Sequence, residues 1–299
     1  MHMNNTLYTP FFQTDYGKVF ELKAEDFLKD YFSRKSEKIN LIFTSPPFPL
    51  NRKKKYGNYE GQEYIDWLKE IAILCANVLA EDGSIVIEIG NSWDKGQPTF
   101  STLPMVALLE FKAAAKLELC QEFIAFNPSR LPSPIEWVNK RRIRVKDSFT
   151  KIWWLSKTPY PKANNLNVLA EYSKSMKKLL DNKKYNSGMR PSEHKIGSTS
   201  FLNNNRGAIP PSVLTVNNTI SNDKYIKYCR NNKLQLHPAR MPRELPEFFI
   251  RFLTDENDIV LDPFCGSNTT GEVAETLRRK WISIDLEKNY LEGSIGRFL

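Results

Sequence analysis

The chain has 299 residues, 41% of them hydrophobic, and a net charge of +9. That length accommodates one large domain with an insertion or two modest domains, and that apolar content excludes a wholly disordered chain. No apolar run is long enough to cross a bilayer, and Met1-His2-Met3-Asn4-Asn5 opens without the apolar stretch of a secretory signal, so a soluble cytoplasmic protein is expected.

In chain order, Asn40-Leu41-Ile42-Phe43 reads as a buried parallel strand. Tyr64, Trp67, Leu68, Ile71, Leu74, Val78 and Leu79 then recur at helical spacing, with Asp82-Gly83 expected to close that helix. Ser84 to Ile89 is a second buried strand, Leu103 to Leu119 an alanine-rich helix, and Phe123 to Phe126 and Ile152 to Leu155 are further strands. Past residue 236, Asp258 to Leu261 is a buried strand, Gly271 to Arg279 a helix and Trp281 to Ile284 another strand. Alternation of this kind argues for a doubly wound α/β sheet.

The pattern breaks between Thr158 and Leu236. That segment has 13 Lys and Arg against 4 Asp and Glu, so it carries the whole net charge, and the remainder has 30 of each sign. Its tyrosines and its length favour a small irregular domain over a linker. A localised basic surface is the footprint of a polyanion binder, but a lysine-rich face that only aids solubility has the same composition. Cys75, Cys120, Cys229 and Cys265 have no C-x-x-C spacing and only three histidines accompany them, so no metal site and no disulfide framework is expected.

Two loops carry the chemistry. Leu261 to Gly271 follows a strand and precedes a helix, where open α/β sheets bind ligands. It is neither a Walker loop nor a dinucleotide fingerprint, because the Gly-Lys-[Ser/Thr] and G-x-G-x-x-G patterns are both missing. Asp262 at the strand end suits a cationic ligand group, and Asp285 closes the next strand, where an acid commonly accepts from ribose hydroxyls. Each could equally be a helix cap or a turn residue. The other loop is Thr44-Ser45-Pro46-Pro47-Phe48, whose two prolines hold it stiff and aim its backbone carbonyls. A Pro-Pro turn ending a strand is the plain alternative.

Together, and in this order, the two loops resemble the motifs of the β-class amino-methyltransferases of restriction–modification systems. In that family a Ser/Asp-Pro-Pro-aromatic motif precedes Asp-Pro-Phe-x-Gly-Ser-Gly-Thr-Thr. The chain is most similar to the N4-cytosine enzymes of that family, over Thr44 to Gly57, Phe126 to Arg141, Trp153 to Lys157, His237 to Arg240, Leu245 to Arg251 and Lys280 to Ser283. Asn268 departs from the motif, which often has Gly there.

The resemblance implies a Rossmann-like, circularly permuted S-adenosylmethionine-dependent methyltransferase sheet. Residues 1–157 and 237–299 would form it, with a target-recognition region at 158–236. Ser45, Pro46, Pro47 and Phe48 would be catalytic. Asp262, Phe264, Gly266, Ser267, Asn268, Thr269 and Asp285 would hold the cofactor, with His237 to Pro242 closing over its methionine end and Glu25 or Asp26 near its adenine. Arg52-Lys53-Lys54-Lys55, Arg141 and Arg142, and Lys177, Lys178, Lys183 and Lys184 would meet phosphates of double-stranded DNA, although such runs are commonly plain solvated surface. Ser45 favours N4 of cytosine over N6 of adenine, which is the rival target. A C5-cytosine enzyme would need a Pro-Cys nucleophile, and no cysteine here follows a proline. A catalytically silent DNA-binding protein is the alternative of another class. A prokaryotic cytoplasm and a companion restriction endonuclease, without a stable complex, complete the expectation. The DNA site and the oligomeric state stay open.

Overall fold

The computed structural model describes residues 8–34, 37–48, 59–216 and 222–299. The chain forms β1 (Phe12–Gln13), β2 (Gly17–Glu21), α1 (Ala24–Ser33), β3 (Ile39–Thr44), α2 (Gly61–Val78), β4 (Leu79–Ile89) and α3 (Leu103–Ala114). Next come β5 (Glu118–Phe126), β6 (Phe149–Ser156), α4 (Lys174–Asn182), β7 (Gly188–Met189), β8 (Lys195–Ile196), β9 (Val213–Thr215) and α5 (Lys224–Asn231). The last elements are α6 (Glu244–Leu253), β10 (Ile259–Asp262), α7 (Thr269–Thr276), β11 (Lys280–Asp285) and α8 (Lys288–Ser294).

One sheet has the order β1-β2-β11-β10-β3-β4-β6-β5-β9. From β2 to β4 its strands run parallel, while β6 is antiparallel to both β4 and β5. Alternate residues of the central strands feed two separate cores. Ile42, Ile85 and Leu261 pack with α1, α2 and α3, through Phe27, Leu28, Leu68, Ile71 and Phe111. Leu41, Phe43, Val86 and Val260 pack with α6 and α7, through Phe249, Ile250, Val273 and Ala274. The connection leaving β3 therefore covers one face and the connection leaving β10 the other. Strand order reverses between these two neighbours, and the carboxyl ends of such a pair are where open α/β sheets bind ligands.

Two element boundaries differ from the sequence expectation. Asp82-Gly83 does not close α2: the helix ends at Val78, and Leu79 turns directly into β4 with φ −70° and ψ 142°. Pairing of Ile39 with Leu79 and an irregularity in the register toward Leu41 extend β4 back to that point. Likewise α3 stops at Ala114, because Lys116 takes the left-handed conformation (φ 51°) before β5 begins.

The chain divides into two compact units, 1–163 with 212–299, and 164–211. The inserted unit is narrower than the expected 158–236. β9 extends the main sheet beside β5, and α5 buries Tyr225, Ile226 and Cys229 as a small cluster of the larger unit. Within 164–211, α4 is capped by the Ser173 hydroxyl, which accepts from Met176 N at 3.1 Å. β7 and β8 form a two-stranded ribbon there. All four cysteines are free thiols. No helix among the described residues is long and apolar enough to cross a membrane.

Candidate active site

A cleft of about 800 Å³ opens at the carboxyl ends of β3 and β10. On one side β3 runs into Ser45-Pro46-Pro47-Phe48, all four of which line it. Behind Ser45 stands Glu88 of β4, also in the cleft wall, which accepts hydrogen bonds from the Ser45 hydroxyl and from Thr150 Oγ1 at 2.8 Å. Burial pushes the Glu88 carboxyl up, while those two hydroxyls and the charge of Arg130 oppose the shift. The Phe48 ring packs closely against the chain at Gly90. A Cβ on Gly90 would come within 2.6 Å of ring carbon Cε2, so the ring's place in the cleft depends on a glycine there.

On the other side, Asp262 ends β10 fully buried. Its carboxylate accepts from Thr44 Oγ1 at 3.1 Å, Thr270 Oγ1 at 2.6 Å and Phe264 N at 3.1 Å. Burial outweighs these donors and pushes its carboxyl up to about 6. The Thr44 bond joins the end of β3 to the end of β10, so the two loops are held in fixed register. Asp285 accepts from Gly266 N at 2.8 Å and Glu287 N at 2.9 Å, and burial raises it as well. Gly266 is left-handed (φ 50°), and a Cβ there would meet His237 Nε2 at 2.9 Å, so the backbone approaches the cleft closely only as glycine.

The far end is aromatic. Trp67 packs against Tyr59, Tyr64 and Phe264 with ring centroids 5.5 to 5.8 Å apart, and Trp67 Nε1 donates to Glu25 Oε1 at 2.6 Å. The Tyr64 hydroxyl, buried in this wall, has no hydrogen-bond partner. A ring-bearing ligand with a polar edge fits that end, and a positive centre fits the carboxylates between it and Ser45. An adenosyl group carrying a sulfonium has both features, and it lacks the phosphates that four carboxylates (Glu25, Asp262, Asp285 and Glu287) would repel.

Residues 39–296 match the family model described as DNA methylase, which covers N6 and N4 enzymes. The chain belongs to that family. It is 45% identical over 292 residues to the Type II methyltransferase M.PvuII of Proteus hauseri, covering 97% of this chain and 86% of the relative. The solved structure of the PvuII DNA methyltransferase, titled cytosine-N4-specific, superposes with a TM-score of 0.80 at 39% identity, over 99% of this chain and 90% of that one. The DNA adenine methyltransferase YhdJ of Escherichia coli K12 is 25% identical, over 88% of this chain and 76% of its own length. An M1.HpyAVI–SAM complex matches with a TM-score of 0.55 at 19% identity, over 95% of this chain and 100% of that one, a likeness of fold alone.

Within this DNA methylase, the cleft brings together Ser45 to Phe48, Asp262, Phe264, Gly266, Ser267, Thr269, Asp285, His237 and Pro242. Asn268 is placed elsewhere. It is wholly buried behind the loop, left-handed at φ 54°, and its Oδ1 accepts from Gly271 N at 3.1 Å and Ser283 Oγ at 2.7 Å. It caps α7 and holds the loop to β11 without lining the cleft. Asparagine tolerates the left-handed region better than most residues, which accounts for its standing where the motif has Gly.

Glu25 lines the cleft, and Asp26 does not. Arg141 is exposed, paired with Glu136 at 3.2 Å and lying over the Trp137 ring. Arg142 is exposed and left-handed. Lys177 and Lys178 lie on α4, Lys183 is its left-handed C-cap and Lys184 follows, all exposed. Arg52, Lys53, Lys54 and Lys55 lie outside the described residues.

Sequence reasoning missed Glu88, Thr150 and Arg130, which share the cleft with Ser45. The one available signal was a charged residue inside the apolar run Ile85 to Ile89. It also missed Arg297, nine-tenths buried, which donates to the Ser267 carbonyl and hydroxyl and pairs with Glu272 at 2.6 Å. Nothing near the carboxyl terminus marked that arginine as a support of the Asp262 to Gly271 loop.

Proposed function

We propose that this protein is a site-specific DNA methyltransferase that moves a methyl group from S-adenosylmethionine to the exocyclic N4 of a cytosine in duplex DNA. It would serve as the modification enzyme of a Type II restriction–modification system in a prokaryotic cytoplasm. The observation that carries the reading is the pairing of Ser45-Pro46-Pro47-Phe48 with the Asp262 loop across one cleft, tied by the Thr44–Asp262 bond. The likeness to the PvuII structure titled cytosine-N4-specific, at 39% identity and a TM-score of 0.80, supports the choice of N4.

When bound, S-adenosylmethionine supplies an electrophilic methyl group on a positively charged sulfur. The protein must make a poor nucleophile better, because the cytosine amine delocalises its lone pair into the ring. The Ser45 hydroxyl already donates to Glu88, which leaves its oxygen lone pairs free to accept from one amine N–H. The Pro46 carbonyl accepts from the other. Two acceptors hold the amine toward tetrahedral geometry and localise its lone pair, an effect realised mainly in the transition state. As the methyl group left sulfur for nitrogen, breaking the carbon–sulfur bond and releasing a neutral thioether, the amine would have one proton to lose, and Ser45 Oγ with the Glu88 carboxylate would take it. Phe48 and the cleft's apolar wall receive the base, which must leave the stack to reach them. The 164–211 unit reads the DNA sequence, and its exposed lysines meet phosphates.

Nucleoside mass spectrometry of DNA methylated in vitro, run against authentic standards, tests this directly. N4-methylcytosine is the expected product. N6-methyladenine would replace the target base and keep the chemistry, and transfer to neither amine on DNA containing the cognate site would end the enzymatic reading.

A further inference from the structure

Between β5 and β6 the chain makes a projection, residues 127–148, that the transfer chemistry leaves without a role. It is well ordered by its own bonds. Asn127 N donates to the Ser148 carbonyl at 2.8 Å and Asp147 N to the Ser133 carbonyl at 3.0 Å. The Lys146 ammonium crosses between its arms, donating to the carbonyls of Pro128 at 2.7 Å and Arg130 at 3.3 Å. Its root reaches the active site, since Asn127 and Arg130 line the cleft beside Glu88 and Ser45.

Its arms, next to that root, are unusual in composition. Leu131 is 81%, Ile135 61%, Ile143 48% and Val145 87% exposed, so one short projection leaves four apolar side chains uncovered. In sequence Leu131 stands beside Arg130, and Val145 between Arg144 and Lys146. A protein-binding apolar patch would have few charges at its centre. Exposed apolar side chains with cationic sequence neighbours suit a duplex, where phosphates surround a stack of apolar faces.

We propose that Leu131 is the side chain that enters the duplex and fills the space vacated by the target base. The inference rests on the proposed transfer to a flipped cytosine. Leu131 is exposed and follows directly on Arg130, which lines the cleft, so it stands beside the site that the base would enter. Pro132 restricts Leu131 to extended backbone, and Lys146 pins the carbonyl of Arg130 before it. Little conformational freedom remains to be lost on insertion. A lysine or arginine at this place would hold a phosphate, but an uncharged, apolar side chain can stack between base pairs without burying a charge or an unpaired polar group.

The test compares wild type, Leu131→Ala and Leu131→Met in single-turnover methylation of two duplexes. In one the target cytosine faces guanine, and in the other it faces an abasic site. Truncation should slow transfer about tenfold or more on the paired duplex, where expelling the base costs stacking and pairing. It should slow transfer less than about twofold where the cytosine has no partner to leave. Leu131→Met, of similar length, should stay near wild type on both. Equal rates for Leu131→Ala and wild type on the paired duplex would overturn the assignment. So would an equal loss on both duplexes, which would mark Leu131 as part of a phosphate-contact or self-association surface. If wild type itself methylates cytosine N4 on neither DNA, it is the proposed function that has failed.

Discussion

The two compact units are built by opposite means. The larger one buries two apolar clusters on either face of a sheet and places its polar residues in fixed bonds at the strand ends. The 164–211 unit contributes no side chain to the buried apolar core. It has eight Lys and Arg against three Asp and Glu, and polar contacts such as Asn205 N to the Tyr172 hydroxyl at 2.8 Å and the Ala170–Ala208 bridge join its ends. Chemistry at an amine needs atoms held to within a fraction of an ångström, and a packed core gives that stiffness. Recognition of a polyanion needs exposed cations, which a core cannot supply. If the units divide labour in this way, substitutions in the first should alter rate or cofactor affinity at unchanged salt dependence, and substitutions in the second the reverse.

The largest effect is expected at Ser45. Ser45→Ala removes the acceptor for the amine and leaves Glu88 with only Thr150 as a hydroxyl donor. Single-turnover methylation should fall roughly 10²–10³-fold, as for loss of a transition-state hydrogen bond. Cofactor affinity by calorimetry should change little, since the missing interaction forms with the reacting base. An equal loss in cofactor affinity would merge the two sides of the cleft into one site and break the separation between rate and binding.

Asp285→Ala comes next. Its carboxylate orders both Gly266 N and Glu287 N, so the loop loses two anchors along with the proposed acceptor for ribose hydroxyls. A loss of about 1–3 kcal/mol in S-adenosylmethionine affinity is expected, with the salt dependence of DNA binding unaltered. Unchanged affinity in a folded variant would remove Asp285 from the cofactor site.

A titration sharpens the same point. Asp262 has an ordinary value of 3.8 in the unfolded chain and about 6 when buried. The folded protein therefore binds a proton more tightly than the unfolded one. The stability this contributes is complete below pH 3.8 and is lost as pH rises through 6. Affinity for a cationic cofactor has the opposite sign, because it needs the ionised carboxylate. Calorimetry should show affinity for S-adenosylmethionine weakening below pH 6, by at most about tenfold per pH unit for one proton. A flat profile from pH 7 to 5 would mean that Asp262 is already ionised through its three donors or does not feel the cofactor charge.

How much of this was legible in the sequence follows the same division. The strands at Leu41, Ile85 and Val260 announced themselves because burial on both faces leaves a nearly continuous apolar run. The loops Ser45 to Phe48 and Asp262 to Gly271 were legible because stiffness and close approach require proline and glycine, which few other residues replace. Glu88 was hidden because a lone carboxylate in a strand has no local pattern, and its partners Ser45 and Thr150 are distant in sequence. The start of β4 was misplaced because Asp82-Gly83 is a good helix stop locally, and the sheet overrode it through the Leu79–Ile39 pairing. The inserted unit was visible only as a change in composition. Its bounds at 164 and 211 follow from which residues touch, and α5 resembles the basic segment in charge while packing with the other unit.

In the second unit, neutralising Lys177, Lys178, Lys183 and Lys184 to Gln should flatten the salt dependence of DNA binding by about 0.9 in log–log slope for each phosphate no longer neutralised. The change should be smaller than four phosphates would give, because Lys177 already pairs with Glu171 at 3.3 Å. Cofactor affinity should be unchanged. Fluorescence anisotropy across a range of salt concentrations measures the slope, and an unaltered slope would reduce this cluster to solubilising surface.

The smallest effect is expected at a residue that sits inside the cofactor motif but belongs to the scaffold. Asn268→Gly restores the residue that the family motif often carries. The left-handed backbone at φ 54° suits glycine at least as well, so no strain is introduced. What disappears is the side chain's cap on Gly271 N and its bond from Ser283, both buried. The unpartnered Nδ2 of Asn268 disappears with them, and its removal offsets part of the loss. Replacing an asparagine cap by glycine costs a few tenths of a kcal/mol, and leaving the Ser283 hydroxyl without its acceptor adds about 1 kcal/mol. Thermal denaturation should therefore show a small drop in Tm, while cofactor affinity and methylation rate stay within about twofold of wild type. A clear loss of cofactor affinity at unchanged stability would place Asn268 among the residues that touch the ligand, and the line between support and chemistry would have to be redrawn through the middle of the motif.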